Sequence, residues 1–345
     1  MTEPTLAPAA ALRRIAFLLE RGREPTYKVR AFRRAAAAVD ATDPGELVRL
    51  AAAPGPGLRD LPGIGEVTER VIREALAGEL PVYLRRLEAI EGTPVAEGAA
   101  ALRAALRGDC HAHSTWSDGG SPIGEMATAA RDLGHEYLAL TDHSPRLTIA
   151  NGLSPERLLA QLDEVAELNE RLAPFRILTG IEVDILEDGA LDQTDELLGR
   201  LDVVVASVHS KLRMPAREMT RRMVAAVANP HTDILGHCTG RIVVGRGRPE
   251  SEFDPAAVFA ACAANGVAVE VNSRPERQDP PKRLLRLAVE AGCRFSIDTD
   301  AHAPGQLDWQ LGGCERAFAC GVTPEMVVNT GDADTLLAWA GRDRG

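Results

Sequence analysis

The chain predicts an α/β barrel preceded by a small all-helical domain, and two observations carry that expectation. Beyond residue 107, short apolar runs alternate with stretches of helical spacing (122–134, 154–173, 191–200, 216–228, 254–265 and 280–292), the pattern of a parallel α/β fold. Seven of those runs also end at, or just after, residues able to hold a metal ion. A closed barrel of alternating strands and helices presents its chemistry at that end of its strands.

Taken in order, the first run closes with His111 and His113, and run 137–141 leads into Asp142 and His143. Run 177–185 contains Glu182, run 203–208 ends at His209, and run 234–236 at His237. Glu270 and Asn272 mark run 267–271, while Asp300 and His302 follow run 295–299. His135 and His231 fall outside this register. Residues two apart on a strand share a face, so His111 and His113 can serve one ion. Mixed imidazole and carboxylate donors suit zinc, manganese or iron rather than magnesium or calcium alone. So many donors exceed the needs of one tetrahedral ion, which implies two or three divalent transition-metal ions with a bridging carboxylate. The same alternation predicts that Cys110 and Cys238, next to His111 and His237, face the outer helices.

Composition sets the frame. A length of 345 residues suggests two domains, and an apolar fraction of 45% is normal for globular cores. Six scattered cysteines form no Cys-x-x-Cys pair, and no export signal or bilayer-spanning run is present, so reduced thiols and a cytoplasmic location are expected. The net charge of −11 is uneven: up to Arg107 there are 16 basic against 14 acidic residues, and 23 against 36 beyond it. A carboxylate-rich rear part fits metal binding. The near-neutral front part can still hold a basic patch.

The front part reads as helices over 11–39, interrupted at 22–26. The second of these carries Lys28, Arg30, Arg33 and Arg34 close together. Leu61-Pro-Gly-Ile-Gly65 then precedes a further helix through Val67, Val71, Ile72 and Leu76. Gly63 and Gly65 permit a tight turn that exposes backbone N–H groups at a helix N-terminus, suited to a DNA phosphate. The expected boundaries are a helical DNA-binding domain over 1–95, a linker over 96–106, and the barrel over 107–345.

His111-Ala-His113 with Asp118, Thr141-Asp142-His143, Gly180-Ile-Glu182, Ser207-Val-His209-Ser210, Gly236-His237 and Asp300-Ala-His302 resemble the motifs of the polymerase-and-histidinol-phosphatase (PHP) superfamily over about residues 107–340. The resemblance implies a distorted seven-stranded (β/α)7 barrel with a three-metal site. By motif, His111, His113, Glu182 and Asp300 would hold a first ion. Glu182, His209 and His237 would hold a second, bridged through Glu182, and Asp118, His143 and His302 a third. Asp118 stands where some members carry histidine. Glu182 and Asp300 are then expected to organise catalysis, with Arg241 steadying the phosphate. Lys211, Arg274 and Arg277 are further phosphate-binding candidates in loops after strand ends.

The front segment resembles the N-terminal helix-hairpin-helix domain of family X DNA polymerases, whose bacterial members carry a PHP domain. The stretch between residues 79 and 107 is too short for the polymerase palm that would lie between them. The only lysines are Lys28, Lys211 and Lys282. The helix after Gly65 therefore lacks the Schiff-base lysine of that family's lyase, and arginine cannot replace it. The expected function is a metal-dependent phosphoesterase on DNA, a 3′-to-5′ exonuclease or 3′-end-processing nuclease in repair, working by attack of metal-activated hydroxide on phosphorus. The alternatives are a small-molecule phosphatase, such as one for histidinol phosphate, and a non-catalytic DNA-binding module.

Overall fold

The computed structural model describes residues 6–53, 57–89 and 95–341. They fall into two compact units divided between Pro94 and Val95.

The first unit contains α1 (Pro8–Arg21), α2 (Thr26–Asp40), α3 (Pro44–Ala52), a short 3-10 turn at Gly57–Asp60, α4 (Glu66–Leu76) and α5 (Val82–Glu88). Leu12, Ile15 and Leu19 of α1 lie on one helical face, as do Val29, Phe32 and Ala36 of α2. These stripes share a buried cluster with Leu58, Val71, Ile72 and Leu84. α3 starts at Asp43, whose carboxylate accepts the N–H groups of Gly45 and Glu46, with Pro44 in the first turn. The turn into α4 places Gly63 at φ +87, a conformation that favours glycine.

The second unit opens with α6 (Glu97–Ala105) and continues as alternating strands and helices: β1 (Gly108–Ala112), α7 (Ile123–Asp132), β2 (Tyr137–Leu140), α8 (Pro155–Leu172), β3 (Arg176–Asp184), α9 (Asp195–Leu198), β4 (Val203–Ser207), α10 (Ala216–Val227), β5 (Ile234–Leu235), α11 (Pro255–Asn265), β6 (Ala268–Asn272), α12 (Lys282–Glu290) and β7 (Arg294–Asp298). Two last helices follow, α13 (Gln310–Phe318) and α14 (Ala333–Ala340). The seven strands pair in sequence order, all parallel. An Ala112–Ala301 bridge and a bond from the His113 N–H to the Ala301 carbonyl nearly close the barrel. Among the described residues, no helix is long and apolar enough to cross a membrane.

Register decides what faces inward. Glu182 pairs with Val205, Val205 with Ile234, and Ile234 with Ala268, so these side chains share the inner face. Below Glu182 that face is apolar: Tyr137, Ala139, Leu178, Val203, Val205, Ile234 and Ala268 pack together, with Val328, Ala333 and Leu336 from the C-terminal segment. Outward residues such as Val183, Val204, Ala206, Val269 and Ile297 pack among the helices instead. Strands β1 to β6 thus supply the apolar plug, and the polar groups lie at the other end.

Two expectations are corrected here. The stretch 96–106, expected as a linker with a short helix over 99–106 leading into the barrel, is more than a connection: it holds α6, and its Leu102 and Leu106 are buried in the second unit's core because helical spacing gives it an apolar side. Leu102→Ala should therefore cost about 2–5 kcal/mol of this unit's stability, measured by urea unfolding; a loss below about 0.5 kcal/mol would restore the linker reading. Cys110 does not face the helices. β1 carries a register shift between Asp109 and Ala112, and the bulge turns Cys110 into the inner apolar cluster while His111 still reaches the polar end. Cys238 does lie in the outer cluster.

Candidate metal centre

Glu182, near the end of β3 and 1% exposed, is the hub of the barrel mouth. Its Oε1 lies 2.7 Å from His237 Nε2 and 3.1 Å from His209 Nε2. Its Oε2 lies 2.9 Å from His143 Nδ1, 3.4 Å from His111 Nε2 and 3.6 Å from His113 Nε2. Five imidazoles from four strand ends thus surround one carboxylate. On the far side of His113, Asp118 approaches His143 Nε2 at 3.5 Å and His302 Nε2 at 3.3 Å. Asp300 Oδ1 lies 3.4 Å from His113 Nε2.

Among the described residues, three sets bring their donor atoms within 4.8 Å of one another: His111, His113 and Glu182; His143, Glu182 and His209; and His113, Asp118, His143 and His302. All nine donors expected from the sequence meet at this mouth, although Asp300 and His237 stand beside these sets rather than in them.

The chemistry of the donors fits cations. His111 Nε2, both ring nitrogens of His113 and of His209, His143 Nδ1 and Glu182 Oε2 are buried and make no hydrogen bond. So many buried polar atoms without partners are costly unless something else satisfies them. Burial alone would raise the Glu182 pKa, but His209, His111 and His143 outweigh it and hold the carboxyl well below its usual range. Burial likewise opposes charge on His209, yet Glu182 and Asp184 raise its pKa to about 9. An arriving cation must expel such protons.

Other side chains brace the donors. Asp142, adjacent to His143, is not among them: it accepts from Ser114 N–H and Oγ, from Ser117 and from Gln161, and so organises the loop that carries Asp118. Asp184 accepts the backbone N–H of His209. It sits two residues after Glu182 on the same face, a signal that was readable from strand alternation. Asp300 adopts φ +53, a conformation tolerated by aspartate but uncommon, often stored at functional sites. Arg277 Nε (2.8 Å) and Arg274 Nη1 (3.4 Å) both donate to its carboxylate. Burial would raise the Asp300 pKa, but Arg277 and Arg274 outweigh it and hold it well below the usual value.

The phosphate-binding candidates separate. Arg241 is committed elsewhere: its guanidinium donates to the carbonyls of Arg277 and Gln278 and pairs with Glu250 at 3.4 Å. It therefore buttresses the 274–278 loop. Arg274 donates to the Asp300 carbonyl and to His302 Nδ1. Arg277 keeps one buried nitrogen, Nη1, without a hydrogen bond. Lys211 and Arg213 are exposed in the loop after β4.

In the first unit, the expected DNA contacts also divide. Arg33 Nη2 pairs at 2.7 Å with Glu20, whose side chain is only 7% exposed, so Arg33 is part of the helix packing. Lys28 pairs with Glu24 at 2.6 Å, but that pair is solvent-exposed and exchangeable. Arg30 and Arg34 are exposed, four residues apart on α2. A Cβ at Gly63 would lie 3.2 Å from the Arg34 Cβ, so Arg34 adjoins the hairpin turn. The Gly65 N–H donates to Thr68 Oγ1 and is not available to a phosphate. The donors left for one are the first N–H groups of α4.

Residues 109–274 match the family model described as the PHP domain, and residues 4–79 match one described as a helix-hairpin-helix domain. The chain joins a helix-hairpin-helix domain to a PHP domain. The PHP region is 43% identical over 238 residues to DNA polymerase/3′-5′ exonuclease PolX of Bacillus subtilis (strain 168), covering 69% of this chain and 41% of that protein. The chain thus spans about two fifths of that relative's length. A protein described as a probable phosphatase from Thermoanaerobacter sp. (strain X514) is 29% identical over 237 residues, covering 64% of this chain and 89% of that one. Among solved structures, histidinol phosphate phosphatase from Lactococcus lactis subsp. lactis Il1403 overlays with a TM-score of 0.44 and 17% identity, covering 62% of this chain and 92% of that chain.

Proposed function

We propose that the protein is a metal-dependent phosphoester hydrolase acting on DNA ends, a 3′-to-5′ exonuclease or 3′-end-processing nuclease that serves repair in the cytoplasm. The observation that carries this reading is the buried donor set around Glu182, many of whose atoms make no hydrogen bond, in a chain that also holds a helix-hairpin-helix domain. Two or three divalent ions, manganese, zinc or iron, would supply Lewis-acid polarisation and an activated water there. His111, His113, Glu182 and Asp300 would hold the first. Glu182, His209 and His237 would hold the second, and Asp118, His143 and His302 the third.

The chain's own residues supply the rest. Arg274 and Arg277 fix the Asp300 carboxylate, and the unpartnered Nη1 of Arg277 can donate to a phosphate oxygen. No protein nucleophile is needed. The Ser114 hydroxyl is spent on Asp142, and the cysteines are buried. Absence of the lysine required for Schiff-base chemistry in α4 leaves the first unit a binding role.

A small-molecule phosphatase is the second reading, favoured by the relatives described as probable phosphatases, which the chain matches over most of their length. One assay separates the two. With Mn²⁺, the protein should shorten 5′-labelled DNA from its 3′ end and hydrolyse histidinol phosphate at least tenfold less efficiently, a difference of about 1.4 kcal/mol in barrier. The reverse preference would move the assignment to the phosphatase.

A further inference from the structure

A buried carboxylate at the mouth, besides Asp300, belongs to none of the three donor sets. Glu270, on β6, is 0% exposed. Its Oε1 lies 2.6 Å from His111 Nδ1. Its Oε2 accepts the backbone N–H of His237 and, at 3.2 Å, the side-chain amide of Asn272. Both oxygens are therefore engaged by groups of the chain itself. The opposite nitrogen of the His111 ring, Nε2, faces Glu182 at 3.4 Å and makes no hydrogen bond.

A neutral imidazole carries its proton on one nitrogen and can bind a cation only through the other. An anionic acceptor against Nδ1 keeps the proton there and leaves the Nε2 lone pair directed at the centre. The second oxygen of the same carboxylate fixes the main chain at His237, whose Nε2 lies 2.7 Å from Glu182.

We propose that Glu270 is a positioning residue for the metal centre: its two oxygens lock His111 as the Nδ1–H tautomer and anchor the His237 backbone, so that both rings present Nε2 beside the Glu182 carboxylate. The proposal rests on reading the barrel mouth as a metal centre. Glu270 lies outside all three donor sets and acts through the ligands it touches. One residue on β6 thus sets the aim of ligands from β1 and the β5 loop, serving two of the expected ion positions.

Glu270→Gln tests this. Glutamine keeps the volume but exchanges one acceptor for a donor, so it cannot accept from both His111 Nδ1–H and His237 N–H. Three readouts apply to the full chain. In ¹⁵N-histidine spectra of Zn²⁺-loaded protein, with His111 assigned by a His111→Gln variant, wild type should show the Nδ1–H tautomer with Nε2 bound to the ion, and Glu270→Gln should lose it. In competition with a zinc chelator, the variant's affinity for Zn²⁺ should fall about 10–100-fold. Hydrolysis of bis(4-nitrophenyl) phosphate should return when Mn²⁺ is raised in excess, a rescue that a misfolded barrel would not allow. Glu270→Ala, if it folds, should lose affinity at least as far. An unchanged His111 tautomer, or unchanged Zn²⁺ affinity in Glu270→Gln, would overturn the proposal alone. Wild-type protein that binds no Zn²⁺ would overturn the metal reading and this proposal together.

Discussion

Glu182→Ala is expected to empty more than one ion position and to lower turnover by about three orders of magnitude, roughly 4 kcal/mol of barrier. The reason lies in the geometry. Its two oxygens are split between neighbours: Oε1 serves His209 and His237, and Oε2 serves His111, His113 and His143. Removing the carboxylate leaves five imidazoles facing one another around a void. Cations placed there would then repel across it with no anion between them. The loss should be larger than for His302→Ala, because His302 approaches only Asp118 and Asp300 among the carboxylates. Elemental analysis of protein purified without chelator, combined with single-turnover hydrolysis of bis(4-nitrophenyl) phosphate, reads both effects. An alanine variant that retains its full metal content would refute the bridging place of Glu182. Glu182→Gln separates charge from shape: it keeps the side-chain volume, so an equally deep loss would assign the effect to the lost anion.

The strand ends were legible in the sequence because strand period and ligand spacing coincide there. Apolar runs stop at His111, His209 and His237, and the structure ends β1, β4 and β5 within one or two residues of them. What stayed illegible depends on contacts between distant segments. Arg241 sits at a strand end like a substrate-binding cation, yet its guanidinium is taken by carbonyls of residues 277 and 278. Glu270 was visible as a carboxylate on an apolar strand. Its partner His111 is 159 residues away, so nothing local could announce the bond. α13 escaped notice because Gly312 and Gly313 depress helix propensity; tertiary packing restores it, with Gly313 so close to Ser273 that a Cβ would lie 2.1 Å from the hydroxyl. Cys110 was misassigned by a single bulge, which reverses a face assignment made by strict alternation.

Reversing Arg30 and Arg34 together to glutamate should weaken DNA processing on the order of a hundredfold, roughly tenfold per phosphate contact, while leaving hydrolysis of bis(4-nitrophenyl) phosphate within about twofold. The expectation depends on where these two side chains lie. They are exposed on one face of α2, and no hydrogen bond or ion pair engages them among the described residues. Arg34 adjoins the Gly63 turn, whose following helix offers its first N–H groups to an anion. Wild-type affinity should fall steeply with salt, and the double variant should flatten that slope by about one unit per contact removed. Arg33 is deliberately left out. Its reversal would place a glutamate against the buried Glu20 carboxylate and damage the helix packing itself. Arg33→Glu should therefore lower thermal stability, whereas the Arg30 and Arg34 pair should not. Equal loss on DNA and on the small diester in the double variant would mean that the first unit does not grip DNA through α2, and an unchanged salt slope would exclude phosphate contacts at both positions.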